Sequence, residues 1–265
     1  MPRISVIMGV YNGEKTLCRA IDSILNQTFS DFEFIICNDC SNDSTSSILK
    51  QYEEKDKRVR VLENKEHLSL AATLNKCLEF ASGFYIARMD DDDISHFDRF
   101  EKQIEYLDKH PEIALLGTKR INFDNEGYWG NFNESGVVTV EDLFSKPTFV
   151  HPSVMMRSDA LKHVGGYTVS KYTVRGQDFD LWCKLYYNGY KGFILDEVLL
   201  DYYDDRFSTK RTKFRYRLNS FVYHSRWRRK LGLPLKYEYY SIRPILVGLV
   251  PSKLQSIIKR YIKYK

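Results

Sequence analysis

The sequence predicts an α/β protein: a Rossmann-like, mostly parallel sheet flanked by helices, followed by a basic helical tail. Three observations carry this prediction. Over the first 120 residues, short apolar runs alternate with segments of helical periodicity. Polar clusters follow the first, second and fourth runs, so they gather at the carboxyl ends of strands, where parallel sheets bind ligands. The net charge of +5 over 265 residues hides a split: residues 206–265 carry 17 Lys or Arg against one acid, Glu238, while residues 1–205 carry 23 against 34.

The elements follow in order. Residues 4–8 form a short β-branched run, read as a buried strand. Asn12 is placed to cap the next helix, where Leu17, Ala20, Ile21, Ile24 and Leu25 recur at helical spacing. Residues 32–37 (FEFIIC) are a second strand. Residues 41–45 offer caps for a second helix marked by Ile48, Leu49 and Tyr52. Residues 59–62 are a third strand. Leu70, Leu74, Leu78 and Ala81 mark a third helix, which Gly83 is expected to close. Residues 84–89 are a fourth strand, running directly into Asp90, Asp91, Asp92 and Asp93. This β-α-β-α-β-α-β order calls for parallel pairing with helices on both faces. Further on, residues 100–107 read as a helix and 114–118 as a strand. Residues 120–136, rich in Asn and Gly, read as hairpins or loops, 154–156 as a strand and 178–187 as a helix.

Several classes fall away. The longest apolar runs are under ten residues, well short of the roughly 20 that span a bilayer. The first 14 residues lack a signal-peptide pattern. Five irregularly spaced cysteines suit a reducing compartment better than a disulfide framework. The C-x-x-C of Cys37 and Cys40 has no matching second pair of zinc ligands, and two small buried residues at a strand end account for it. Neither G-x-x-x-x-G-K-[ST] nor G-x-G-x-x-G occurs, which argues against a P-loop NTPase and a dinucleotide enzyme.

The acidic run admits two readings. Four adjacent carboxylates can be a solvated loop, but at the binding edge of a parallel sheet they suit a hard divalent cation, Mn²⁺ or Mg²⁺, holding a diphosphate. Five segments, SVIMGVYNGEKTLCRAIDSILNQTF, IICNDCSNDST, GFYIARMDDDDI, HPSVMMR and GQDFDLWCKL, come in an order that resembles the family 2 inverting glycosyltransferases of the GT-A fold. The likeness is to bacterial enzymes of capsule and exopolysaccharide synthesis and covers roughly residues 3–205.

The resemblance implies roles residue by residue. Val10 and Tyr11 lie against a uracil-type base, and Asp39 accepts from its imino N–H. Asp39 also reads as an acid at a helix N-terminus. Asp90, Asp91 and Asp92 match the D-x-D. Asp92 is the metal ligand, and Asp90 or Asp91 meets ribose or metal-bound water, Asp90 being the second ligand candidate. Asp178 matches the general base, and it also reads as the cap of an amphipathic helix. The family's usual Glu before that base is Gln177 here. Relatives usually carry glycine near His67 and Ser69. No His follows Tyr203, where many carry one, and Arg206 is the available substitute for neutralising diphosphate. His151 matches a position near the acceptor or reads as a buried structural histidine.

The tail (residues 206–265) is expected to form a unit apart from a catalytic body (1–205). Phe214, Leu218, Phe221 and Val222 recur at helical spacing among nine basic residues between 210 and 230. A second apolar stripe from Ile242 to Ile262 is expected to be broken at Pro244 and Pro251. The composition suits helices lying in an anionic membrane surface, with packing on the body as the alternative. Nucleic acid is not expected, since no binding motif accompanies the charge. Together these expectations describe a metal-dependent transferase, hexosyl- or N-acetylhexosaminyl-type. It would move sugar from a nucleotide-sugar donor, a UDP-sugar, to a glycan or lipid-linked acceptor at the inner face of a cell membrane. The competing expectation is a non-catalytic nucleotide-binding protein that retains the fold.

Overall fold

The computed structural model describes residues 1–206 and 213–249. The first half is laid out as β1 (Ile4–Val10), α1 (Leu17–Leu25), β2 (Phe32–Asn38), α2 (Thr45–Lys55), β3 (Val59–Glu63), α3 (Leu70–Phe80) and β4 (Tyr85–Arg88). There follow β5 (Ile94–Ser95), α4 (Arg99–Lys109), β6 (Ile113–Asp124), β7 (Gly127–Phe132), β8 (Gly136–Val138), α5 (Val140–Ser145) and β9 (Met155–Arg157). The remainder is α6 (Ser158–His163), α7 (Gln177–Tyr187), β10 (Lys191–Tyr203), α8 (Phe214–Lys230) and α9 (Glu238–Leu249).

The sheet runs β3-β2-β1-β4-β9-β6-β10-β5, with β7 paired to β6 and β8 to β10. Strands β3, β2, β1 and β4 are mutually parallel, so their carboxyl ends share one edge. β9 runs antiparallel between β4 and β6, and β6 pairs in parallel with β10.

Side-chain alternation divides the core between the two faces of the sheet. Ile4, Val6, Met8 and Val10 of β1 pack with Leu17, Ile21 and Ile24 of α1, while Ile7 faces Leu74 and Cys77 of α3. Both faces are covered, so all seven residues of β1 are buried, as parallel strands require.

Three helix ends differ from expectation. Asn12 does not cap α1: it takes φ +54°, and the helix begins after Thr16. Gly83 does not close α3, which ends at Phe80 with Ala81 as an extended cap. Gly83 instead permits close approach, because a Cβ there would overlap the Ser5 amide of β1. Asp178 is not the cap of α7 but sits in its first turn, behind Gly176. Pro244, expected to interrupt the second stripe, lies inside α9 without ending it, and Pro251 and the stripe from residue 250 onward lie outside the described residues.

Candidate active site at the strand ends

The loops after β1 and β2 are stitched to each other. The side chain of Asn12 accepts from the Asn42 amide (2.8 Å), and its own N–H donates to Ser41 Oγ (2.9 Å). The Gly13 amide donates to Thr45 Oγ1 (2.9 Å). Asn12, with the chemistry of a helix cap, is thus spent on holding two loops together.

That stitching fixes a cleft of about 320 Å³. Val10, Tyr11, Asp39 and Leu68 line one side, and Thr173 and Gln177 the other. Asp39 is buried, and its Oδ1 accepts from Asn64 Nδ2 (2.7 Å) and the Leu68 amide (2.9 Å). Its Oδ2 lies 3.0 Å from His67 Nδ1. The His67 ring stands 4.0 Å from that of Tyr11, which is itself half-exposed at the cleft. His67 therefore touches Asp39 and Tyr11, both of which the resemblance sets against the base.

The acids beyond β4 separate into two groups. One carboxylate oxygen each of Asp90, Asp92 and Asp93 lie within 4.8 Å of one another. Asp91 lies apart from them, its Oδ2 beside Gly13 in the loop after β1. Asp90 is paired with Arg88, and Arg19 Nη2 donates to the Asp92 carbonyl (2.8 Å). Asp93 is fully buried. Its Oδ1 accepts from the Tyr203 amide (2.8 Å), and its Oδ2 has no hydrogen-bond partner among the described residues. Burial and the neighbouring Asp90 and Asp92 raise Asp91 to about 7; burial and Asp90 raise Asp92 to about 6. Clustered buried oxygens that resist ionising together, one of them orphaned, fit a hard divalent cation. The structure thus adds Asp93 to the expected pair of Asp90 and Asp92. Nothing in four identical adjacent residues could have singled it out.

Arg88 ends β4, directly before the acids. Its side chain is buried at the end of β4, and Nε and Nη1 have no hydrogen-bond partner among the described residues. Its charge reaches Asp178 as well as the acidic run. Asp178 lies in the first turn of α7, with Oδ1 accepting from the Phe179 amide (2.8 Å). Burial raises its pKa, while the Phe179 N–H and Arg88 oppose the rise. Gln177 lines the cleft, and its Oε1 accepts from the Gly176 amide (3.1 Å). A Cβ at Gly176 would overlap the phenol of Tyr223 on α8. One turn further, Asp180 Oδ1 accepts from Trp227 Nε1 of the same helix (2.6 Å). The turn holding Asp178 is therefore braced by α8.

Two other residues settle into structural places. His151 is buried with Nε2 2.8 Å from Tyr167 Oη, and burial holds its pKa well below the usual value. Arg206, expected to face diphosphate, instead grips Asp124 through Nε (2.6 Å) and Nη2 (2.8 Å). The five cysteines are free; Cys37 is buried at the end of β2, and Cys40 takes φ +62°.

Residues 5–165 match the family described as Glycosyl transferase family 2. The putative glycosyltransferase EpsE of Bacillus subtilis is 36% identical over 99% of this chain and 94% of its own length. The O-antigen biosynthesis glycosyltransferase WbnJ of Escherichia coli is 34% identical over 80% of this chain and 84% of its own. Among solved structures, Staphylococcus aureus TarS 1-349 in complex with UDP-GlcNAc superposes with a TM-score of 0.70 at 19% identity, covering 92% of this chain and 70% of that one. The mannosyltransferase PcManGT of Pyrobaculum calidifontis, in complex with GDP-Man and Mn²⁺, gives 0.64 at 17% over 100% and 81%. These two likenesses establish the GT-A fold.

Proposed function

We propose that this chain, which belongs to glycosyl transferase family 2, transfers a sugar from a UDP-sugar to a hydroxyl of a growing or lipid-linked surface glycan with inversion. One observation carries the reading. The Asp90, Asp92 and Asp93 cluster and the Asp39 cleft gather where the strands β1, β2 and β4 end, and Asp178, next to the cleft-lining Gln177, feels the charges of Arg88 and Asp90. Relatives named for polysaccharide synthesis support the acceptor class, and neighbours bound to UDP or UDP-GlcNAc support the donor.

In this mechanism Val10 and Tyr11 flank the base, and Asp39 accepts from its imino N–H beside His67. Asp91, whose Oδ2 lies beside Gly13 after β1, would meet the ribose in this reading. Asp90, Asp92 and Asp93 would hold Mn²⁺ or Mg²⁺, which when bound offsets charge on the leaving diphosphate. Asp178 accepts the proton of the acceptor hydroxyl as its oxygen bonds to the anomeric carbon. The bond from that carbon to the diphosphate oxygen breaks on the opposite side, and its electron pair leaves with the diphosphate. No covalent intermediate is required. Arg88, buried between the acidic run and Asp178, keeps both carboxylate groups from facing each other uncompensated.

The expected place of work is the inner face of the cell membrane, where a lipid-linked acceptor presents its hydroxyl. Replacing Asp178 with Asn tests the assignment. Transfer should fall about 10²- to 10⁴-fold, the usual worth of a general base, while UDP binding measured by calorimetry stays as in the wild type. Transfer at the wild-type rate in that variant would remove Asp178 from the mechanism.

A further inference from the structure

The basic helices present an exposed surface that the reaction above does not use. The residues of α8 that pack inward are Tyr223, Ser225 and Trp227. A different row, Phe214, Leu218 and Val222, repeats every four residues and so forms one stripe. These side chains remain 45%, 45% and 42% exposed. On α9, Tyr239, Ile242, Leu246 and Leu249 repeat at three- and four-residue spacing and are 57%, 38%, 51% and 68% exposed. The helices lie side by side, with Arg217 Nη1 donating to the Pro244 carbonyl (2.9 Å) and the Phe214 ring set against Gly248. The two apolar rows therefore meet where α8 begins and α9 ends.

The charge around these rows is one-sided. Lys213, Arg215, Arg226, Lys236 and Arg243 are exposed. Glu238, the single acid between residues 213 and 249, is taken up by Ser225 and Arg228. Among the described residues no helix is long and apolar enough to cross a membrane. Seven exposed apolar side chains fringed by cations match a surface that is apolar below and anionic above.

We propose that the α8–α9 ridge docks on an anionic lipid surface, its apolar rows entering the acyl boundary and its cations meeting the headgroups. A nucleic acid would satisfy the cations but leave the apolar rows in water. This deepens the functional reading and rests on it only for where the acceptor lies. Because α8 also braces the turn that holds Asp178, the ridge sets the orientation of the site above the lipid plane.

Co-sedimentation of the full chain with phosphatidylglycerol-containing vesicles and with pure phosphatidylcholine vesicles tests the dock. Binding to the anionic vesicles should be tighter by about tenfold or more. The Leu218→Glu, Leu246→Glu variant alters two exposed positions and should lose that binding while its thermal melting stays as in the wild type. Arg226→Gln with Arg243→Gln, which disturbs no packed side chain, should weaken it and flatten its dependence on salt. Asp178→Asn should bind vesicles as the wild type does, so failure of the dock and failure of the transferase reading are told apart. Equal binding to both vesicle types, no binding, vesicle binding unchanged in the Glu variant, or displacement of the anionic vesicles by single-stranded RNA would each overturn the proposal.

Discussion

His224 is stacked on Phe179, with ring centroids 4.0 Å apart and planes 11° from parallel, and its Nδ1 is buried with no hydrogen-bond partner among the described residues. Burial pushes its pKa down to about 4, from an ordinary 6.5. The unfolded chain therefore binds a proton between pH 6.5 and 4 that the folded chain refuses, so this residue costs stability as pH falls through that window. By pH 5 the cost approaches about 2 kcal/mol. Asp91 and Asp92 act the opposite way: their pKa values are raised in the fold, so they hold protons the unfolded chain has released, and they favour folding as pH falls through 7 and 6. The wild-type melting curve mixes the two effects, and His224→Phe separates them. The variant should melt near the wild type at pH 7.5 and lose less on going to pH 5, as calorimetry at the two pH values can read. An equal loss would show that His224 does not carry the acid sensitivity.

At the scale of elements, the N-terminus of α7 is the point where the proposed base, Asp178, and the packing of α8 meet. Gly176 takes φ −161°, a conformation open to any residue, so its smallness answers to space: the phenol of Tyr223 occupies the position of a side chain. Gly176→Ala should cost about 1–3 kcal/mol, the range for an overfilled core, and should lower turnover more than donor affinity because it displaces Asp178 rather than Asp39. Melting temperature and the separate kcat and KM check this. The same region shows what the sequence reveals and what it conceals. The first four strands and three helices are legible because β-branched runs buried on both faces and helical spacing leave unmistakable patterns. β10 carries Asp196, Glu197 and Asp201 within it, which split its apolar residues into two three-residue runs and hide a 13-residue strand. The cap of α1 was misplaced for a physical reason: Asn12 has the chemistry of a cap but hydrogen-bonds across to the loop after β2 instead, whereas Ser44, within the expected 41–45, stands at the N-cap of α2. Asp39, Asp92 and Asp178 are singled out by motif order, and their proposed roles rest on the resemblance together with the geometry. The brace from α8 was not, since a Tyr and a Trp in a basic helix carry no mark of what they touch.

At the scale of the whole molecule, the split between an acidic portion of net −11 and a basic one of net +16 follows the chain but not the packing. The acidic portion supplies the carboxylate cluster and Asp178, together with many ordinary surface acids. The basic portion contributes both the outward ridge and the inward pair Tyr223 and Trp227. Trp227 is a member of the same buried cluster as Leu74 of α3 and Leu181 of α7. A chain ending at residue 206 should therefore melt at a lower temperature than the full chain, beyond any loss of vesicle binding, and circular dichroism melting checks it. An unchanged melting temperature would show the brace to be dispensable.

The hydrogen bond from Trp227 to Asp180 also bears on how such enzymes diversify. If the basic region were only an address label, it could be swapped freely between relatives that serve different surfaces. Because it also seats the helix that carries Asp178, a graft must bring a matching Tyr and Trp along with its charges. The two regions are coupled in this fold, and a chimera that keeps the charge pattern but not the seat should hold Asp178, the proposed base, out of line.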